Sequence, residues 1–330
     1  MLPTSPPSFK TMGTIGFIGF NDEYLLMNLR DLEYALAVAE HGHFSRAAEA
    51  CEVSQPTLSG QLRKLEDELG VEIFERDGRT VRVTRVGREI LAYARIAVSA
   101  VSDLAHAAQA GRDPLAGTLR VGVIPTLGPY LLPHLLATAR ERIPQLPLAI
   151  VEEPTAKLVA GVVAGDLDAA IVATSHTSEG LSEVPIFDEP LWLVVEKNDA
   201  LASQESVALA EIDARKLLLL TDGHCLREQT LALCDAAQRA AADRDLRASS
   251  LETLFNLVEA GYGMTVVPAL ARRGPRFGGG TLVALAFKAP TPTRRIRLIH
   301  RASAPRAAAL RVLADAARAD APPDVRPVPA

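Results

Sequence analysis

The sequence predicts an α/β protein in which a small N-terminal winged helix-turn-helix is joined by a long linker helix to a large effector domain of two strand-and-helix subdomains. Three observations carry that prediction. Apolar residues recur at helical spacing in three short segments between Leu29 and Leu69. A basic, β-like stretch follows around Thr80 to Thr84. From Leu119 onward, short apolar runs alternate with helical segments.

Composition sets the frame for these elements. The chain has 330 residues, 48% of them hydrophobic, enough to bury cores in two or three domains. Its formal net charge of −5 excludes a generally basic nucleic-acid or membrane binder, so any case for DNA must rest on local features. Three cysteines are too few for a disulfide-stapled secreted scaffold and fit a reducing cytoplasm, the expected location. No apolar run approaches the roughly 20 residues of a membrane span, and no membrane partner is expected. Residues 1–26 carry several early prolines and a short apolar patch, poorly match a secretory signal, and read as a disordered extension. Patterned sequence begins at Met27, which is an alternative translation start to Met1.

Leu29, Leu32, Leu36 and Ala39 define one helical face over residues 29–41. Ser45 reads as the N-cap of a second helix through Cys51, with Glu52-Val53-Ser54 as the break. Ser54 caps a third helix that holds Pro56 in its first turn and ends at Gly70. Leu58, Leu62, Leu65 and Leu69 step by four, three and four into one buried stripe. The opposite side presents Pro56, Thr57, Gly60, Arg63 and Lys64. Such small, polar and basic residues suit a major groove, although an ordinary solvated face has the same pattern. Arg76, Arg79, Arg82, Arg85 and Arg88 then recur every third residue around a short strand, a basic wing for phosphate contact. The candidate DNA-binding residues are Ser54, Gln55, Pro56, Thr57, Ser59, Arg63, Lys64, Arg79 and Arg82.

After Gly87, Leu91, Ala94, Val98, Val101, Ala105 and Ala108 form a heptad seam that pairs with a second copy or packs inside its own domain. A two-fold dimer would offer two recognition helices to double-stranded DNA. Gly111 to Pro114 breaks this helix. Beyond it, strands are expected at Leu119–Ile124, Leu146–Val151, Ala169–Ala173, Leu191–Val195 and Ile296–His300. Helices are expected at Tyr130–Arg142 and Ala156–Ala164, with an Ala-rich helix last. This alternation implies mostly parallel sheets that receive ligands at the carboxyl ends of strands. No Gly-rich phosphate loop or metal-ligand cluster is present in the sequence pattern, so no cofactor or metal is expected.

Four blocks, Phe44-Ser45-Arg46-Ala47-Ala48-Glu49, Val53-Ser54-Gln55-Pro56-Thr57-Leu58-Ser59, Leu65-Glu66-Asp67-Glu68-Leu69-Gly70 and Phe74-Glu75-Arg76, resemble the DNA-binding domain of LysR-type transcriptional regulators. Ile124-Pro125-Thr126, Gly128-Pro129-Tyr130-Leu131-Leu132-Pro133 and Asp222-Gly223-His224-Cys225-Leu226-Arg227 resemble that family's peroxide-sensing branch. The resemblance implies a periplasmic-binding-protein-like effector domain and a homodimer or homotetramer built as a dimer of dimers. It also implies RNA polymerase contact, antioxidant target genes, and hydrogen peroxide as effector, with a reversible disulfide between Cys225 and Cys234. Thr126 and Thr155 match positions that line the peroxide pocket in the family, with His224 and Arg227 beside them. The domain boundaries are a winged helix-turn-helix over 27–86, a linker helix and hinge over 87–114, and an effector domain over 115–330. Subdomain I takes 115–188 and 293–320, and subdomain II takes 189–292.

Cys225 has His224 before it, Arg227 two residues on, and lies near the start of a helix expected to run toward Ala240. Nearby cations and a helix N-terminus favour the thiolate that peroxide attacks. Cys234 lies nine residues on, roughly 13 Å away along a helix, whereas a disulfide tolerates Cα separations of only about 7 Å. Bond formation would therefore require the helix to unwind or reposition, and that rearrangement is the expected signal. Three other readings stay open for these residues. Cys234, like Cys51, can be core filling, Thr155 can be a helix cap, and Arg227 can pair with Asp222 or Glu228. Competing functions are a metabolite-responsive regulator with inert cysteines, a cysteine peroxidase, for which a helix-turn-helix has no use, and a transporter's solute-binding protein. No enzymatic activity is expected.

Overall fold

The computed structural model describes residues 27–77, 80–110, 117–176, 180–234, 246–273, 276–277 and 279–329. The extension over residues 1–26 lies outside them. The chain forms two compact units that divide between Val101 and Ser102.

The first unit begins with α1 (Leu29–His41), whose N-terminus carries a capping box between Asn28 and Asp31 and whose C-terminus closes on Gly42. α2 (Phe44–Ala50) starts one residue before Ser45, so Ser45 is not its cap. The His43 imidazole Nδ1 takes that role, accepting the Ser45 N–H at 3.1 Å. Phe44 packs edge-on against Phe74 at the first helical position, with ring centroids 6.4 Å apart, and that contact favours the earlier start. α3 (Gln55–Leu69) is capped as expected: the Ser54 hydroxyl accepts the Thr57 N–H at 3.2 Å, Pro56 lies in the first turn, and Gly70 ends the helix at φ 68°. Leu58, Leu62 and Leu65 are buried against α1 and α2, and Leu69 is half-buried at the edge of the same core.

A hairpin of β1 (Phe74–Asp77) and β2 (Thr80–Val83) forms the wing. Glu66 ties it to α3, its Oε1 accepting the N–H groups of Ile73 at 2.8 Å and Phe74 at 3.0 Å in a buried setting. Glu66→Ala would leave both donors without that acceptor, and a loss of about 2–4 kcal/mol of stability in this unit is expected, readable by chemical denaturation.

α4 (Arg85–Ala110) follows directly. It passes so close to the wing that a side chain at Gly87 would meet the Ile73 carbonyl oxygen at 2.2 Å. The single heptad seam is divided in the structure. Leu91 and Ala94 are buried in the winged core and Val98 packs partly against it, whereas Val101, Ala105 and Ala108 are exposed. On another side of the same helix, Tyr93, 76% exposed, Ile96 and Leu104, 71% exposed, form a second uncovered apolar stripe.

The second unit contains β3 (Leu119–Val123), α5 (Gly128–Arg142), β4 (Leu148–Glu152), α6 (Thr155–Ala164) and β5 (Ala169–Val172). There follow β6 (Leu181–Glu196), β7 (Ser206–Val207), β8 (Leu219–Leu220), α7 (Cys225–Ala232), β9 (Arg247–Ala248) and α8 (Leu251–Glu259). β10 (Thr265–Pro268), β11 (Leu282–Phe287), β12 (Thr293–Arg301), α9 (Ala307–Ala319) and β13 (Arg326–Pro327) complete it. The main sheet runs β4-β3-β5-β12-β6-β11-β7, with β10 and β13 also on β6.

This sheet is mixed rather than mostly parallel. β3 pairs parallel with β4 and β5, but β12 is antiparallel to both β5 and β6, and β6 is antiparallel to β10 and β11. The cause is β6, a 16-residue strand that begins ten residues before the expected Leu191. Its first part pairs with β12 and its last part with β10 and β11, so one strand serves two subdomains. Pro185 sits where the β6–β12 register shifts, a position that spares a ladder bond. One core gathers β3, β5, α5, α6 and α9, and a second gathers β10, β11, α7 and α8.

Candidate functional site

Three turns converge on the N-terminus of α7. The β3–α5 turn brings Ile124, Pro125 and Thr126, the β4–α6 turn brings Pro154 and Thr155, and the turn after β8 brings Gly223, His224 and Cys225. Together they line a narrow crevice too tight to admit a water-sized sphere. Two of the turns leave the carboxyl ends of parallel strands, where an open α/β sheet receives ligands.

Cys225 is the first residue of α7 and is only partly buried, against the first core. Cys234 is 8% exposed and belongs to the second core, its Sγ 4.0 Å from the Thr230 carbonyl oxygen. Neither residue is in a disulfide. α7 ends at Ala232, short of the expected course toward Ala240, and the Cys234 N–H closes the final turn on the Leu231 carbonyl at 3.1 Å. Residues 235–245 lie outside the described residues.

Thr155 is buried at the first position of α6 but makes no capping bond, and its Oγ1 has no hydrogen-bond partner. The capping alternative therefore does not hold. Thr126, also buried, accepts a hydrogen bond on Oγ1 from Arg294 Nη1 at 2.9 Å, and its carbonyl accepts from Arg294 Nη2 at 3.1 Å. Arg227 pairs with Asp222, Nε to Oδ1 at 2.8 Å, and Asp222 also accepts from Arg247. Asp222 is one of the two acids expected as partners.

Burial pushes the His224 imidazole below its ordinary value of 6.5, against the opposing effect of a hydrogen bond to the Ser249 backbone. The unfolded chain therefore binds more protons than the folded one between the folded value and 6.5. Stability is full above the ordinary imidazole range and falls as pH drops through it. His224→Gln is expected to flatten that part of the melting-temperature profile between about pH 7.5 and about pH 5.5.

Sequence reasoning missed three residues here. Arg294 on β12 and Glu189 on β6 stand opposite each other in register, both side chains 0% exposed, with Arg294 Nε to Glu189 Oε2 at 2.9 Å. Gln229 on α7 donates from Nε2 to the Ala173 carbonyl at 2.9 Å, tying α7 to the end of β5. The signal for Arg294 was period two: it shares the inward face of β12 with Ile296 and Leu298, and a charge on that face needs a partner.

In the first unit, Ser54, Gln55, Pro56, Thr57, Arg63 and Lys64 are exposed along α3, and Ser59 is half-exposed. Lys64 lies 3.6 Å from Glu68, Gln55 accepts from the Ser45 hydroxyl, and Gly60 has no atom within 4 Å of where a Cβ would stand. Arg82 is exposed on β2, whereas Arg79 lies outside the described residues.

Residues 29–88 match the family described as bacterial regulatory helix-turn-helix protein, lysR family, and residues 112–322 match the LysR substrate binding domain. The chain belongs to the LysR family. This LysR-family regulator is 45% identical over 293 residues to the DNA-binding transcriptional dual regulator OxyR of Escherichia coli strain K12, covering 89% of this chain and 95% of that protein. Its structure matches a full-length OxyR variant from Pseudomonas aeruginosa with a TM-score of 0.72 at 39% identity, over 88% of this chain and 98% of the other. A hydrogen-peroxide-bound OxyR mutant of Corynebacterium glutamicum matches with a TM-score of 0.61 at 35% identity, over 89% and 92%. Among the described residues, no helix is long and apolar enough to cross a membrane.

Proposed function

We propose that this LysR-family protein is an OxyR-like transcription regulator that binds double-stranded DNA through its N-terminal unit and responds to hydrogen peroxide at Cys225. The observation that carries the reading is the crevice itself, where a partly exposed thiol at a helix N-terminus shares a confined space with Thr126 and the unpartnered Thr155 hydroxyl. Peroxide would enter as the three turns part. One peroxide oxygen bonds to the Cys225 sulfur as the O–O bond breaks, giving a sulfenic acid and one water, with sulfur oxidised by two electrons. The Cys234 thiol then displaces a second water to form the disulfide. Because Cys225 opens α7 against one core and Cys234 lies beyond its last turn in the other, α7 must come undone or move for the two sulfurs to meet, and that rearrangement is the signal.

The uncovered apolar stripe of α4, with Tyr93, Ile96 and Leu104, supports pairing with a second copy, as a homodimer or as half of a tetramer. Cytoplasmic location, contact with RNA polymerase and control of antioxidant genes complete the reading, and His224 and Arg227 border the pocket. The test is non-reducing mass spectrometry before and after brief peroxide exposure. A Cys225–Cys234 link is expected, and two surviving thiols would leave a metabolite-responsive regulator. Thr155→Val is expected to slow that link about 10- to 100-fold while leaving thermal stability unchanged or raised, since the hydroxyl it removes is buried without a partner.

A further inference from the structure

Glu189 lies at the point where β6 leaves β12 and takes up β10 and β11. Its carboxylate is fully buried and fully used. Oε2 accepts from both Nε and Nη2 of Arg294, each at 2.9 Å, while Oε1 accepts the Leu270 N–H at 2.9 Å. Arg294 spends its remaining reach on Thr126, donating to the hydroxyl and to the carbonyl. Such a pair is a poor way to stabilise a fold, because well-packed apolar residues of similar volume do as well or better. Its placement one residue away from the Cys225 crevice suggests another use.

Arginine has only donors, and a threonine hydroxyl has one hydrogen and two acceptor lone pairs. With Arg294 fixed on the acceptor side, the single Thr126 hydrogen must point elsewhere. Among the described residues no acceptor takes it, and Thr126 lines the crevice with Cys225. We propose that Glu189 is a positioning residue for oxidation of Cys225: by holding Arg294 it turns the Thr126 O–H into the crevice as a hydrogen-bond donor to the departing peroxide oxygen. This rests on the peroxide reading above. In the step served, the Cys225 thiol and HOOH give a sulfenic acid and water. The S–O bond forms, the O–O bond breaks, and the thiol proton ends on the leaving oxygen. The Thr126 hydrogen bond stabilises the charge on that oxygen before the proton arrives. Glu189 touches none of the reacting atoms and acts through two others.

The experiment compares two reactions of Cys225 in the reduced full-length protein: oxidation by hydrogen peroxide, which needs a donor for the leaving oxygen, and alkylation by iodoacetamide, which does not. Glu189→Gln keeps the shape but surrenders one acceptor and the charge. Its peroxide rate should fall about 10- to 100-fold, with alkylation within about twofold of wild type. Thr126→Val should show the same loss, and adding Glu189→Gln to Thr126→Val should change the rate by less than about twofold, since both act through one hydroxyl. Glu189→Leu combined with Arg294→Met replaces the pair by apolar groups, should fold, and should show the loss again. A wild-type peroxide rate in Glu189→Gln, a parallel fall in alkylation, or a multiplicative loss with Thr126→Val would each overturn the assignment. Wild-type protein that forms no Cys225–Cys234 link would instead overturn the reading beneath it.

Discussion

Replacing Cys225 by Ser is expected to abolish the peroxide response outright, with no Cys225–Cys234 link and no peroxide-dependent change in operator occupancy. The expectation follows from chemistry, since a serine hydroxyl is not oxidised by peroxide and cannot form a disulfide. The fold should survive, because Cys225 is only partly buried and serine is close to isosteric. Cys234→Ser should behave differently. Its sulfenic acid would form and then persist or oxidise further, because the residue that resolves it is gone. It also places a hydroxyl in the second core, at a site 8% exposed, and should lower the melting temperature where Cys225→Ser does not. An intact peroxide response in Cys225→Ser protein, followed by footprinting on the operator, would mean that the effector binds elsewhere and that the cysteines are inert.

Arg63→Ala should weaken binding to the specific operator by about 1–3 kcal/mol, roughly 10- to 100-fold, with little change on random duplex. The helix that carries it buries Leu58, Leu62 and Leu65, which leaves a bare outer face of Pro56, Thr57, Gly60 and Arg63. A long guanidinium there is expected to reach base edges. Arg82, exposed on the wing, is expected to meet the phosphate backbone instead. Its alanine variant should lose affinity for all sequences about equally, with a log–log salt slope shallower by about one. Titrations on operator and scrambled duplexes at several salt concentrations read both effects. Equal losses on both duplexes for both variants would show that this division of labour is wrong.

Where local rules decide, the sequence was readable. Ser54, Pro56 and Gly70 each act on their own backbone neighbourhood, and α3 begins and ends where they put it. Where distant partners decide, it was not. Ser45 obeys the capping preference on paper, yet the Phe44 contact with Phe74 coincides with a helix that starts earlier. β6 begins ten residues before the expected Leu191 and includes Pro185 and Pro190, and its early part is a strand through pairing with β12 and β13, distant in sequence. Cys225 and Thr126 stand in short motifs at turns, Thr155 was matched by position alone, and the structure brings the three to one crevice. Arg294 and Glu189 are 105 positions apart in sequence, and neither local pattern names the other. The heptad seam of α4 was legible as apolar, but its division between a packed half and an exposed half depends on where the wing core ends.

The two sulfurs sit in different hydrophobic cores, Cys225 against the one built on β3 and β5 and Cys234 inside the one built on β10 and β11. Joining them means prising at least one out of its setting, so the reduced fold resists its own activation by the strength of that packing. Thermal hardiness and alertness to oxidant therefore pull against each other. A substitution that loosens the packing around Cys234, such as Val266→Ala, would yield a protein that melts earlier and needs less peroxide to respond.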